Sequence, residues 1–229
     1  MIADGLFSRR KTLFLLTLAA VTLSVLWWPI VAAQAQSDNV QPVEIEDYQG
    51  EKLGSVDDFR ENSIKGVQRI DPEVYWLRID GLVEQTRSLT YETLQEMNHT
   101  KKLVTIHCVE GWSVTALWEG IPLSDLFAQV SPTATANTVI FHAHDGYTTS
   151  LSLDTVFERN LIIADRINGI PLPPERGFPF QLVAEDKWGY KWVKWITRIE
   201  LSDDPNYRGF WESRGYSNDG DTSGSMFGP

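Results

Sequence analysis

The chain has 229 residues, 31 acidic and 20 basic, and a net charge of −11 at pH 7. That balance disfavours nucleic acid as a partner, since a protein that neutralises phosphates is normally basic. Its 42% hydrophobic content suffices for a packed core, and its single cysteine excludes any intramolecular disulfide.

Residues 1–36 read as a targeting segment. Arg9, Arg10 and Lys11 precede an apolar run from Leu13 to Leu26, and Pro29 stands ahead of a small-residue site, Ala33-Gln34-Ala35. Ser8-Arg9-Arg10 is the heart of a twin-arginine export signal, which serves proteins that cross a membrane already folded. The alternative is an uncleaved anchor: no residue from Thr12 to Ala33 is charged, and Trp27-Trp28 would suit a membrane interface. Both readings put the remainder outside the cytoplasm. Residues 1–35 carry three positive charges and one negative, so the rest of the chain is more acidic still, at −13.

Residues 37–57 are polar, acidic and without periodicity, and read as a linker or loose arm. Residues 58–229 fit one domain. Asp71-Pro72 is a turn signal, Val74–Ile79 alternates as a strand does, and Asp80-Gly81 is a turn pair. Leu89–Met97 is a short amphipathic helix with Thr90 as N-cap. Leu103–Ile106 is an apolar, β-branched strand that ends at the only cysteine, Cys108. Leu123–Val130 reads as a helix with Pro122 at its start. Thr138–His142 and Tyr147–Leu151 are strands joined through His144-Asp145-Gly146, and Asp154–Glu158 is at most a short helix. Leu161–Ala164 is a buried strand, Asn168-Gly169 a tight turn, and Pro171–Gly177 a loop of restricted backbone. Phe180–Ala184 and Trp192–Leu201 read as strands. The tail from Tyr207 to Pro229, rich in Gly, Ser, Asp and Asn, should lie over the surface with a loose end. Strands outnumber helices, and helices fall singly between strand groups, so the fold class is α+β with a mixed sheet.

Cys108 stands where a strand gives way to a loop, a usual place for a reactive group. From the residues alone it is a packed thiol, a free thiol or a metal ligand; a thiolate suits a soft metal. His142 and His144 share one strand face and with Asp145 could hold copper or zinc; no other histidine has a zinc-like spacing. Lys191 and Lys194 read blandly as solvated strand residues between core tryptophans.

Three ordered motifs carry more. Cys108-Val109-Glu110-Gly111-Trp112-Ser113, the segment Trp118 to Leu126 with Gly120 and Pro122, and Gly189-Tyr190-Lys191-Trp192-Val193-Lys194-Trp195 together resemble the molybdopterin-binding domain of the sulfite oxidase family. The likeness runs from about Asn62 to Leu201 and is nearest the bacterial exported branch that includes methionine sulfoxide reductase catalytic subunits. It implies that fold, a molybdenum–molybdopterin cofactor, and Cys108 as the one protein ligand of the metal. It further implies that Trp192, Val193 and Lys194 meet the cofactor's phosphate end, that Arg176 and Ala143 touch the cofactor, and that Arg60 and Asn62 line it. Gln181 occupies a cofactor-contacting position where many members carry arginine, which loses a fixed charge. His107, Glu110 and His144 are candidates for the substrate side.

The expected activity is two-electron oxygen-atom transfer to or from a small or protein-bound substrate. No stretch resembles a haem-binding extension, so electrons would pass to or from a separate haem or membrane protein. The competing expectation is a non-catalytic periplasmic binding or adaptor domain that keeps the fold.

Overall fold

The computed structural model describes residues 43–228; the export or anchor segment lies outside them. Among the described residues no helix is long and apolar enough to cross a membrane.

The chain builds two five-stranded sheets by passing back and forth between them. One sheet has the order β4-β3-β12-β7-β8, formed by β3 (Trp76–Gly81), β4 (Arg87–Thr90), β7 (Thr138–Ala143), β8 (Thr148–Ser152) and β12 (Ile196–Ser202). The other runs β10-β9-β6-β5, from β5 (Thr100–His107), β6 (Ser113–Pro122), β9 (Ile162–Ile167) and β10 (Ile170–Pro171), with β11 (Gln181–Val183) also paired to β9. All pairings are antiparallel except β12 with β3. Among the described residues each α-helix sits on a passage between sheets: α1 (Tyr91–Gln95) before β5, α2 (Leu123–Ala128) before β7, and α3 (Leu153–Glu158) before β9. The architecture is the expected mixed α+β one. A short hairpin, β1 (Asp47–Tyr48) with β2 (Glu51–Lys52), precedes the sheets.

Local chemistry accounts for most boundaries. Thr90 caps α1 by accepting the Thr93 amide at 3.1 Å, and Ser152 caps α3 by accepting the Thr155 amide at 3.1 Å. Asn168 and Gly169 both have positive φ, 46° and 81°, which makes the two-residue reversal between β9 and β10. The element least expected is β6, which opens at the residue after Trp112 and continues through Gly120. There its pairing with β9 is bulged, and a Cβ at Gly120 would overlap the Ile163 carbonyl. Trp192–Trp195, expected as strand, is instead the exit of a 3-10 turn (Gly189–Lys191), and β12 starts at Ile196.

One continuous apolar cluster draws on both sheets, with Trp118, Phe127, Phe141 and Phe180 among its largest members. Residues 43–57 are not a loose arm where they are described. Leu53 is buried, the Gly54 amide donates to the Thr115 carbonyl at 2.8 Å, and Glu44 accepts from Asn168 at 2.7 Å. Asn168 is fully buried. Its Oδ1 accepts the Leu117 amide at 2.9 Å, and its Nδ2 also donates to the Gly54 carbonyl at 2.8 Å, tying the arm to β6.

Asn168→Gly tolerates the positive φ, so it removes these hydrogen bonds without backbone strain, at the added cost of a small cavity and a freer unfolded chain. Urea unfolding should show a loss of about 2–4 kcal/mol, from buried groups left unpaired. A loss within about 0.5 kcal/mol would mean that the arm is held by other contacts.

Candidate functional site

Cys108 closes the β5–β6 hairpin. Its amide donates to the Trp112 carbonyl at 2.9 Å, and its carbonyl accepts the Gly111 amide at 3.0 Å. Gly111 has φ +87°, a conformation that suits glycine at the tip of such a turn. The segment Trp188–Gly189 runs beside the hairpin end, bridged at His107. A Cβ at Gly189 would stand 3.3 Å from the His107 carbonyl oxygen and 3.4 Å from the Cys108 Cα, so glycine there permits the approach. The thiol is half-buried and faces a cavity of about 190 Å³. Burial pushes the Cys108 thiol above its ordinary pKa, and the Glu110 carboxylate adds to the rise. The Glu110 and Val109 amides and the Arg60 charge oppose it.

Segments from both sheets line the cavity. The 3-10 turn Pro174–Arg176 ends at Gly177, whose φ of +98° lets the chain fold against Lys194 and Gln181; a Cβ there would lie 3.0 Å from the Lys194 Cβ and 3.1 Å from that of Gln181. Arg176 is buried, with its guanidinium 5.0 Å above the Phe59 ring. Among the described residues its side chain makes no hydrogen bond or ion pair, and burial lowers its pKa. Lys194 Nζ donates to Glu61 at 2.8 Å and lies 4.3 Å over the Trp195 ring. Burial lowers the Lys194 pKa, and Glu61 partly restores it. For Glu61 burial acts upward, yet the hydrogen bond and charge of Lys194 bring its pKa below the usual value. Asn62 donates to the Glu110 carboxylate at 2.9 Å. Trp112 Nε1 is a buried donor without a partner.

Of the residues singled out in the sequence, Arg60, Asn62, Cys108, Glu110, Arg176, Gln181, Trp192 and Lys194 line this one cavity. Ala143 and Val193 do not. Ala143 is buried in β7, donating its amide to the Tyr147 carbonyl, and Val193 is core, accepting from the Leu182 amide. His107 is also outside, hydrogen bonded to Ser113 at 2.8 Å, and His144 is solvent-exposed. The copper or zinc reading of His142 and His144 fails: His142 is engaged by Glu200 at 2.9 Å and Arg198 at 3.3 Å. Among the described residues no three His, Cys, Asp or Glu side chains are placed to hold a metal ion.

Lys191 is a further correction. It is fully buried and ion-paired to Glu212, not a solvated strand residue. The tail is corrected with it, since Trp211 and Tyr216 line the cavity. Tyr190, inside the third motif though not singled out there, also lines it, as do Asp145 and Tyr147, which belong to none of the three motifs. The signal available for the tail is its aromatic density, with Tyr207, Phe210, Trp211, Tyr216 and Phe227 inside a polar stretch. Chemically the cavity unites a soft sulfur donor, an unpaired guanidinium, further cations and aromatic walls.

Residues 64–211 match the family model described as the oxidoreductase molybdopterin binding domain. The chain is 35% identical over 146 residues to the oxidoreductase YuiH of Bacillus subtilis, covering 63% of this chain and 73% of that protein. It is 30% identical to the putative protein-methionine-sulfoxide reductase subunit YedZ1 of Azospira oryzae, over 66% of this chain and 57% of the relative. The protein-methionine-sulfoxide reductase catalytic subunit MsrP of Xanthomonas campestris is 28% identical over 55% of this chain, and only 44% of that protein is spanned. The solved sulfane dehydrogenase SoxCD of Paracoccus pantotrophus shares the fold, with TM-score 0.61 and 24% identity over 63% of this chain and 42% of that one.

The environment of the thiol makes a prediction for cofactor-free protein. Because its pKa is raised, Cys108 should be alkylated by iodoacetamide more slowly at pH 8 than a free cysteine peptide, with the rate climbing through higher pH. Glu110→Gln removes one upward contribution and should speed alkylation at pH 8. Alkylation at the peptide's rate would contradict the burial of this thiol.

Proposed function

The chain belongs to the oxidoreductase molybdopterin binding domain family, and on that premise we propose that it is an exported enzyme of oxygen-atom transfer with Cys108 as its molybdenum ligand. It is a molybdopterin-dependent oxidoreductase, which sets aside the reading as a non-catalytic adaptor. The observation that carries the proposal is the thiol of Cys108 facing a cavity in which the buried Arg176 guanidinium has no partner of its own.

The residues fit the cofactor. A thiolate is a soft donor, and an unpaired buried guanidinium supports an anionic, acceptor-rich group. The orphaned Trp112 Nε1 adds a donor with no other use. When bound, the cofactor supplies two-electron redox chemistry coupled to movement of an oxygen atom. Cys108 holds it by sulfur and must release its proton to do so. Arg176 and Lys194 meet negative charge, Arg60, Asn62 and Gln181 line the group, and Trp192 packs beside it. Ala143 and Val193 support that lining from behind. Glu110, fixed by Asn62, is the carboxylate nearest in sequence to the ligand and suits the handling of protons. Gln181 is buried and uncharged, so Arg176 carries the positive charge that arginine would have supplied there.

The substrate is a small or protein-bound oxygen acceptor or donor, of the sulfoxide type as the names of two relatives suggest or of the sulfite type as the family resemblance implies. A separate haem or membrane protein exchanges the electrons. The Arg9-Arg10 segment supports export of a folded, loaded enzyme.

Two variants test this reading. Cys108→Ser is nearly isosteric, so it should fold with an unchanged melting temperature yet lose molybdenum and activity. Molybdenum near one atom per chain in the serine variant would sink the assignment. Lys194→Ala removes a charge-assisted contact of about 1.5–3 kcal/mol, or roughly tenfold to a hundredfold in cofactor retention on dialysis. Retention equal to wild type would take this lysine out of the site.

A further inference from the structure

The segment after β12 brings Trp211 and Tyr216 to the cavity. Between them in sequence lies Glu212, fully buried and paired with the equally buried Lys191 at 2.7 Å. Lys191 also donates to the Ser150 carbonyl at 3.0 Å, and the Thr149 hydroxyl donates to the same Glu212 oxygen. Two glycines set the segment at backbone distance from the body. A Cβ at Gly209 would overlap the Thr148 carbonyl, and one at Gly220 would stand 2.7 Å from the Lys191 side chain. Tyr190, next to Lys191, donates to the Ser217 carbonyl at 2.7 Å and packs edge-on against Tyr216 at 5.1 Å. Trp211 and Tyr216 pack on each other at 5.3 Å.

A buried ion pair contributes little net stability compared with apolar packing, but it accepts few alternative geometries. Here it joins the turn that carries Tyr190 and Trp192 to the segment that carries Trp211 and Tyr216. We propose that residues 203–228 form the substrate-facing wall of the cleft, and that Lys191 and Glu212 are positioning residues that fix where its aromatic side chains stand. This rests on the cleft being the active site. The cavity's cations, Arg60, Arg176 and Lys194, all come from other segments, and the tail adds aromatic faces with no charged lining residue. Such a wall selects an organic substrate with an apolar or polarisable group beside the reacting atom. It adds no positive charge to hold a small free oxyanion.

The test uses molybdenum-loaded holoenzyme, with reduced benzyl viologen as electron donor and two probes, methyl phenyl sulfoxide and dimethyl sulfoxide. Wild type should have a KM at least tenfold lower for the aryl probe. Glu212→Gln should keep wild-type molybdenum per chain, raise the aryl KM at least fivefold, and change kcat less than twofold. Tryptic cleavage after Arg208 and Arg214 should become at least tenfold faster. The charge-reversed pair, Lys191→Glu with Glu212→Lys, should recover part of the aryl KM. If that chain or Glu212→Gln fails to fold, Trp211→Ala and Tyr216→Ala carry the same KM expectation with molybdenum retained. Unchanged KM in all of them, or equal KM for both probes in wild type, overturns this proposal alone. Wild-type protein without molybdenum overturns the reading of the cleft, and the wall with it.

Discussion

Two charges without solvent contact, Lys191 and Glu212, hold together three parts of the molecule that share no strand pairing with one another. The 3-10 turn at Gly189–Lys191, the start of β8 and the C-terminal segment all meet at this pair. Removing one member of a buried pair strands the other, a loss of about 3–5 kcal/mol where whole domains have about 5–15. That loss comes from the charge left behind, so the pair fixes the arrangement of the segment more than it adds net stability. The segment is also held by Lys187 with Asp221, by Tyr190 with Ser217, by the Phe210 amide on the Thr148 carbonyl, and by packing of Phe210 on Tyr147 and of Tyr216 on Tyr190.

The cleft is electrostatically unlike the chain that makes it. The protein as a whole is acidic, yet Arg60, Arg176 and Lys194 converge on one cavity. In a partly desolvated site each charge acts more strongly than it would on the surface. Lys194 is paired with Glu61, while Arg176 has no hydrogen-bonded partner and feels only the nearby charges of Glu61 and Glu175; Glu110 and Asp145 also line the cavity. The buried Arg176 guanidinium, without a hydrogen-bonded partner, favours an anion that reaches it inside the cavity.

Where the fold follows local rules it is legible in the sequence. Thr90 caps its helix and Asn168-Gly169 turns the chain because short-range chemistry determines both. β6 is not legible, since Glu119, Gly120 and Pro122 break the apolar pattern. The bulge and the backbone contact with Ile163 that make Gly120 necessary belong to a strand over forty residues away. Lys191 escapes a local reading for the same reason: its partner lies in a tail with no periodicity. The site divides likewise. Cys108 and Lys194 sit in motifs that can be read locally, whereas Trp211 and Tyr216 lie in a tail whose contacts with the body no spacing announces.

The place of Cys108 on a hairpin has a consequence in time. The β5–β6 turn is local in sequence and can form within microseconds, before distant segments have met. The remaining walls come from residues as far apart as 60 and 216, whose assembly is slow because long loops must close first. The loop that carries the thiol is therefore able to form before there is a pocket around it. During that interval it is an exposed free cysteine with no intramolecular partner, open to oxidation or to cross-linking with another chain. Completing the fold in a reducing compartment protects it until the walls have closed.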